Sequence, residues 1–529
     1  MAIKHPEPGA RLVLSATLVA MASMGCSIGM IAPAWSQSQP QNPPNTRLQA
    51  QVDVQAYATQ STNPQPGSTA GKELILTTTP SFSVQSKGAN TQIDGQWQWS
   101  AINYVRNSQP DRILPSGALN LRTLAGRSGL GLDGSVSAAQ VKSTALGRQS
   151  DTPTTLDSYT DTTYRLSPFF DKELDSLTRA SVRMDRSLLH SSQLDSNLVA
   201  RPDSHVRNDV VKLDRTPTPL GYGFEWHQQQ TKVSGQQDPS LDENLGRATA
   251  LFAPLPEVSM GLSLGRGRNR IGAQSITETT HGWQAQWRPT ERSLLKGEIE
   301  DRYFGRSWKA EASHRTPWLA LSLNTDRAAS TYAQTIGNLG RNGSLSGLYD
   351  ALLTTRIPDP LARRQAVDDM VARRNLSGQV STSGDVYDVA AQLQQSTSGK
   401  LALMGRRDIV TFVGGLTRTA PLTSDSPSAT LLTSMPRTKE YFFDAQLNHQ
   451  LTQRSSVATG LRWTRATSTP LDNTAPAMLS RDFTWRASFN TTLTPETTTT
   501  LGVKRQLTHN PSTTSSDESA MFVGLGHRF

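Results

Sequence analysis

The 529-residue sequence has one cysteine, Cys26, and few aromatic residues, which make up 6% of the chain. Because Cys26 lies in the N-terminal region, disulfides and cysteine metal sites are excluded from the rest of the chain. Hydrophobic residues are also scarce at 35%, which is little for a large soluble core. After the N-terminal region, no apolar run approaches the roughly 20 residues that a membrane-spanning helix needs. The composition thus argues against a large soluble domain and against a helical membrane protein.

Residues 1–36 have the features of a secretory signal peptide. A short basic start precedes an apolar stretch at 12–34, which ends in the small residues of APAWS at 32–36. This pattern predicts export and cleavage near residue 36, followed by a short polar segment at 37–46. Two alternatives stay open, namely an uncleaved membrane-anchoring helix and a lipoprotein modified at Cys26.

Apolar and polar residues then alternate with a period of two. Clear instances are RLQAQVDVQAYA (47–58), LGYGFEWHQ (220–228), EVSMGLSLG (257–265) and RDFTWRASFNTTL (481–493). Such alternation predicts strands with one apolar and one polar face. An ordinary antiparallel sandwich alternates as well, but these strands are long enough to cross a bilayer at a tilt. No second apolar set remains that could fill a core.

The predicted connections alternate between short turns and long polar loops. Short turns fall at 254–256 and 495–496, for example, and long loops at 142–161 and 421–437. This is the pattern of an outer-membrane barrel. The predicted fold class is therefore all-β, a transmembrane antiparallel up-and-down β-barrel. It has about 22 strands (range 18–22), spans residues 47–529, and has both termini on the periplasmic side.

The chain ends in SAMFVGLGHRF, which reads as the last strand of that barrel. Its alternation places Val523 towards lipid, Gly524 towards the lumen and Phe529 at the periplasmic interface. The stretch resembles the C-terminal assembly signal of Gram-negative outer-membrane proteins, which Gly524 and Phe529 match. Phe522 and His527 depart from that signal. The resemblance implies docking to the barrel-assembly machinery.

The longest interval without a strand pattern is 327–384. Inside it, Asp359 suits a helix N-cap and Pro360 suits the first helical position, which predicts a helix near 360–374. Long structured loops are usually functional. Two placements fit the sequence: a constriction folded into the lumen, or a cap on the extracellular rim.

The net charge of +9 raises the question of where the cations lie. Strand parity directs several of them into the lumen, and others belong to the long loop; the candidates are Arg363, Arg364, Arg373, Arg374, Arg462, Arg486, Lys504 and Arg528. A basic lumen would favour anionic solutes or acidic polysaccharide. The alternatives are a solvated lining, or rim cations that contact lipopolysaccharide phosphates. The predicted partners are accordingly outer-membrane lipid and lipopolysaccharide, and nucleic acid is not expected.

Catalysis finds little support in the sequence. GLGLDG at 129–134 has dinucleotide-like spacing but lies in a strand pair rather than at a strand-to-helix turn. GSLSG at 343–347 puts no serine in the elbow position of hydrolases, and the histidines lack metal-site spacing. No catalytic residue, metal ligand or cofactor is predicted. A hydrolase whose residues come from separate strands is the remote alternative.

Three segments carry a family resemblance. They are RYFGRSWKAEASHRTPWLALSLNTDRA (302–328), LYDALLTTRIPDPLARRQAVDDMV (348–371) and TTTPSFSVQSKGANTQIDGQWQWSAINYVRNS (77–108). They resemble the PEP-CTERM-system-associated outer-membrane β-barrel family. The resemblance implies a Gram-negative outer membrane, exosortase sorting and exopolysaccharide gene clusters. It assigns no residue an activity. The function expected is a channel or export component, with exopolysaccharide export components as partners; a non-conducting structural or scaffolding barrel is the alternative.

Overall fold

The computed structural model describes residues 45–62, 71–142, 158–193, 200–342, 345–374, 390–422, 437–470, 477–510 and 515–529. The predicted signal peptide (1–36), with Cys26, lies outside the described residues. So does nearly all of the predicted polar segment at 37–46.

Twenty-two strands make up most of the described chain. They are β1 (Asn45–Thr62), β2 (Gly71–Lys87), β3 (Thr91–Tyr104), β4 (Arg112–Leu124), β5 (Leu130–Lys142), β6 (Ser158–Glu173), β7 (Thr178–Gln193), β8 (Ser204–Arg215), β9 (Leu220–Val233), β10 (Leu241–Leu255), β11 (Val258–Ile271), β12 (Gln274–Thr290), β13 (Ser293–Arg302), β14 (Gly305–Arg315), β15 (Leu319–Ser330), β16 (Gln392–Met404), β17 (Asp408–Pro421), β18 (Arg437–Gln450), β19 (Ser455–Thr469), β20 (Met478–Thr492), β21 (Thr497–His509) and β22 (Ser516–Arg528).

Each strand pairs antiparallel with the strands before and after it, and the ring closes between the first and the last. β1 and β22 pair from Gln51↔Arg528 to Thr62↔Asp517. The amide N–H of Phe529 donates to the carbonyl of Ala50 at 2.9 Å, one step beyond that ladder. The predicted fold class is confirmed: the chain forms a closed, 22-stranded antiparallel β-barrel.

The two faces of the wall differ in the way that alternation predicts. Large apolar side chains are exposed on the outside, for example Trp283, Trp485, Val523 and Leu525. A soluble protein rarely leaves so much contiguous apolar surface in water, whereas a barrel in a bilayer needs it. The barrel is therefore a transmembrane one. We call its two ends the short-turn end, which holds turns such as 405–407, and the long-loop end, where β15 leads into the segment 331–391.

The described residues also contain three helices: α1 (Tyr332–Asn342), α2 (Ser346–Leu353) and α3 (Pro360–Arg374). All three belong to the segment 331–391 between β15 and β16. None of the helices in the described part of the chain is both long and apolar enough to cross a membrane.

A phenylalanine packs across the seam where the ring closes. Phe522 of β22 faces the bore, is 3% exposed, and lies 5.6 Å from the ring of Tyr57 on β1. On the other side it covers Gly502 of β21, where an added Cβ would lie 2.2 Å from the Phe522 ring. The guanidinium of Arg486 lies 4.7 Å from the same ring. One side chain thus joins β1, β21 and β22 on the inside of the wall.

The outward orientation of Val523 can be tested by charge insertion. Val523→Arg should lower the free energy of unfolding in lipid vesicles by about 2–4 kcal/mol, because the charge would enter lipid well inside the apolar band. Thr498→Arg is the matched control, because Thr498 is exposed to the bore on the neighbouring strand. It should cost less than about 1 kcal/mol. Urea unfolding followed by heat-modifiable gel mobility measures both, and equal losses would contradict the assignment of the two faces.

Candidate functional site

The segment 331–391 enters the bore from the long-loop end and reaches the short-turn end. Helix α2 buries Leu348, Tyr349 and Leu352 in a cluster with residues of the wall. The wall residues of that cluster come from β15, β16 and β17: Ala320, Ala402, Met404, Ile409 and Val413. Met404 is the last residue of β16 and Ile409 is the second of β17, so this contact lies beside the turn at 405–407.

Strand parity shows that these wall residues face inwards. Leu323 on β15 is exposed on the outer face, and Ala320 has the opposite parity. Ala320 pairs with Ala402, which in turn pairs with Thr411, so all three point into the bore. Helix α2 therefore lies inside the barrel. Burial against this wall raises the pKa of the Tyr349 hydroxyl to about 12, which keeps it protonated at neutral pH.

Helix α1 bridges the bore at the long-loop end. Thr331, just after β15, shares a 3.0 Å hydrogen bond between its Oγ1 and that of Thr231 on β9. The Tyr332 hydroxyl donates to the carboxylate of Asp161 on β6, and Ile336 packs against Val141 and Leu189. β15 lies six strands from β9 and nine from β6 around the ring. Contacts between strands so far apart narrow the mouth of the bore.

A second apolar cluster connects strands of the wall at the long-loop end. Leu241 of β10 and Ile271 of β11 pack with Ala329 of β15 and with Ala391, which precedes β16. Leu241 is completely buried. The segment 331–391 is thus fixed to the wall where it leaves β15 and where it returns to β16.

Helix α3 is held to α2 by the predicted loop cation Arg363. Its Nε donates to Asp350 at 2.8 Å, and its Nη1 donates at 3.0 Å to the carbonyls of Ile357 and Pro358. Asp359 caps α3 by accepting from the N–H of Ala362 at 3.0 Å. Arg363 therefore organises the segment and does not line open water.

The other loop cations differ from Arg363. Arg364 is exposed. Arg373 and Arg374 end α3, but their side chains lie outside the described residues.

Ion pairs line the inner wall between β9 and β13. Arg247 contacts Glu225 at 2.7 Å and Glu298 at 2.5 Å. Arg302 contacts Glu243 at 3.0 Å and Glu278 at 3.1 Å. Two of these pairs join β10 to β13, so they tie the curved wall together on its inside. This part of the bore carries more carboxylates than cations, so the expectation of a basic lumen does not hold here.

The predicted lumen cations Arg462, Arg486 and Lys504 all have inward parity. Arg462 contacts Asp444 at 3.2 Å, Arg486 covers the Phe522 ring, and Lys504 is 5% exposed. The structure does not bring these three together with the loop cations into one site. Arg528 also faces inwards, at the short-turn end, and its Nη2 donates to the carbonyl of Pro495 at 3.4 Å.

The predicted assembly residues lie at the short-turn end of β22. Gly524 faces the bore beside Gln55. Phe529 is 75% exposed and meets the ring of His527 edge to face at 4.7 Å. An exposed aromatic residue at this end of the wall suits the membrane interface. Recognition by an assembly machinery stays a prediction.

Sequence reasoning missed α1 and α2. Leu345, Leu348, Tyr349, Leu352 and Leu353 follow the three- and four-residue spacing of a helix face, which was the available signal. Within the described ranges, no group of three or more His, Cys, Asp or Glu side chains could hold a metal ion. The arrangement offers steric restriction and charge along a bore.

Comparison with solved structures returns membrane barrels. The siderophore receptor PirA from Pseudomonas aeruginosa is 10% identical, with 92% of this chain and 81% of that chain covered and a TM-score of 0.35. The outer membrane protein OpdK from the same species is 9% identical, with 91% and 99% covered and a TM-score of 0.33. The ferric-catecholate import receptor Fiu from E. coli K12 is 9% identical, with 93% and 82% covered and a TM-score of 0.45. At this similarity none of them assigns a substrate. No protein-family model and no curated protein matches the chain.

Arg363 provides a test of how the segment is held. Arg363→Ala should weaken the attachment of α3 to α2 by about 1–3 kcal/mol, the usual range for hydrogen bonds to a charged group, with the lower half favoured because Asp350 is partly exposed. Hydrogen exchange of the α3 amides should accelerate accordingly. Arg364→Ala, at the adjacent exposed position, should leave exchange unchanged. The same acceleration in both variants would refute the role of Arg363.

Proposed function

We propose that this protein is an outer-membrane channel or transporter whose bore is restricted by the segment 331–391. The observation that carries the proposal is the packing of α2 on bore-facing residues at the short-turn end, while α1 bridges the long-loop end. A ring of 22 strands encloses a space that its own side chains cannot fill. The segment therefore controls how much of the bore stays open.

The outer-membrane location is inferred from the closed barrel wall and its apolar outer face. Closed antiparallel barrels with an apolar band are the β-structures that cross a bilayer, and bacteria place them in the outer membrane. The predicted signal peptide supplies the route of export. We place the short-turn end on the periplasmic side, because such barrels have short periplasmic turns and longer extracellular loops.

Export of an exopolysaccharide is the specific form of this proposal that the sequence resemblance implies. The alternative is a non-conducting scaffold, which the buried contacts of the segment favour, because Tyr349 and Leu352 are completely covered. The two differ in whether the bore conducts.

Removal of the segment tests the proposal. Deletion of residues 344–381, with a short Gly/Ser linker, should leave a folded barrel, because β15 and β16 pair directly over their whole length. Single-channel conductance in planar bilayers should rise several-fold, since α2 and α3 are gone from the bore. Preference for anions should fall only slightly, because Arg363 is already paired with Asp350 and the deleted residues carry five arginines against four aspartates.

The control is deletion of residues 424–434 in the connection between β17 and β18, which should not alter conductance. A folded 344–381 deletion with unchanged conductance and selectivity would reject the proposed restriction. A wild-type protein and a deletion that are both silent would favour the scaffold.

A further inference from the structure

Four cations form a row on the outer face of β17–β20, which we call the outer cationic row. They are Arg418, Lys439, Arg465 and Arg481. The short-turn ends of the four strands are Asp408, Gln450, Ser455 and Thr492. Each cation lies ten or eleven residues along its strand from that end. They therefore stand at one height on four adjacent strands. Arg418, Arg465 and Arg481 are exposed.

The cations of this row oppose each other directly. Arg418 is the register partner of Lys439, and Arg465 is the register partner of Arg481. Directly opposed side chains have Cβ atoms about 4.5–5.5 Å apart, and like charges at that spacing destabilise a sheet. The acidic residues that follow in sequence, Glu440 and Asp482, have the inward parity. Among the described residues of β17–β20, the outer cationic row thus brings positive charges together with no carboxylate of the outer face beside them. Lys439 also lies 4.7 Å from the ring of Tyr441 on the same face.

The same outer wall shows how such pairs are neutralised elsewhere. Arg186 and Arg207 are also register partners. The carboxylate of Asp209 lies 2.6 Å from Nε of Arg207 and also forms an ion pair with Arg186. Arg505 contacts Asp517 at 2.8 Å. The protein supplies an acid at these places, whereas no described residue of the outer face supplies one at the outer cationic row.

Aromatic residues fix the level of the row in the membrane. The outer face of β18, β19 and β20 exposes Phe443, Trp463 and Phe483. Trp463 is the register partner of Phe443 on one side and of Phe483 on the other. They lie just below the row, towards the short-turn end. Aromatic belts mark the membrane interface. Ten residues of tilted strand rise about 25 Å, the height of the apolar band of such barrels, so the row stands at the level of lipid headgroups.

We propose that the outer cationic row binds the phosphate groups of lipopolysaccharide. This rests on the proposed outer-membrane location, because the long-loop end then faces the leaflet that holds this phosphorylated glycolipid. Two phosphates on one lipid would each meet an opposed pair, Arg418 with Lys439 and Arg465 with Arg481. A phosphate between two opposed cations removes their repulsion and makes charge-assisted hydrogen bonds to guanidinium groups.

The test is binding of defined lipids to the purified barrel, measured by native mass spectrometry. Lipid A carrying both phosphates should stay bound to the wild type, and its affinity should fall about tenfold or more in the double variant Arg465→Gln, Arg481→Gln, since each cation near a charged lipid surface contributes about 1 kcal/mol. Arg505→Gln is the matched control, because Arg505 already has Asp517. It should bind like the wild type.

Thermal unfolding in lipid-free detergent separates binding from a general loss of folding. The double variant should melt at a higher temperature than the wild type there, because the repulsion is removed. Added lipid A should raise the melting temperature of the wild type more than that of the double variant, which keeps only the pair Arg418 and Lys439. Equal lipid A binding by wild type and double variant would overturn the proposal. So would equal retention of dephosphorylated lipid A, or of phosphatidylglycerol. Conductance is not expected to change, so a failure here is distinguishable from a failure of the proposed channel.

Discussion

Backbone hydrogen bonding in lipid is the constraint on which the rest of this structure depends. An N–H or C=O group left unpaired in hydrocarbon costs several kcal/mol, so no strand of the wall can have a free edge. The pairing of β1 with β22 meets that demand, and Phe522 covers the seam from inside. Once the ring is closed, side-chain parity is fixed for every strand. A register slip of one residue would exchange the lipid face and the bore face.

Closure of 22 strands leaves a bore that must be filled or restricted, because the ring is too wide for the side chains of its wall to fill. The chain meets this demand with one insertion between β15 and β16. Its apolar helix faces find partners where the wall offers small or apolar bore-facing residues, such as Ala320 and Ala402. On another part of the bore wall, ion pairs between β10 and β13 reinforce the curvature. Barrel and insertion therefore depend on each other: the small and apolar bore-facing residues of β15–β17 are buried by α2.

The strands could be predicted from the sequence because alternation is a local signal. The number of strands follows from it, and the stretches quoted for their alternation at 47–58, 220–228, 257–265 and 481–493 lie in β1, β9, β11 and β20 apart from their end residues. Helix α2 was missed although its apolar residues have helical spacing, because its eight residues span only about two turns. The partners of Arg247 and Arg302 could not be predicted either. Glu298 and Glu243 lie three strands away from Arg247 and Arg302, so only the curvature of the wall brings these pairs into contact.

The distribution of charge separates two roles that the net charge of +9 conceals. Inside the described bore, Arg247, Arg302 and Arg462 are each paired with carboxylates, which hold neighbouring parts of the wall together. On the outside, Arg465 and Arg481 face each other, with no acid of the outer face beside them in the part of the chain that the structure describes. Repulsion there costs the protein little if the surrounding leaflet supplies anions. A positive charge that would weaken a soluble sheet then strengthens the attachment of this barrel to its membrane.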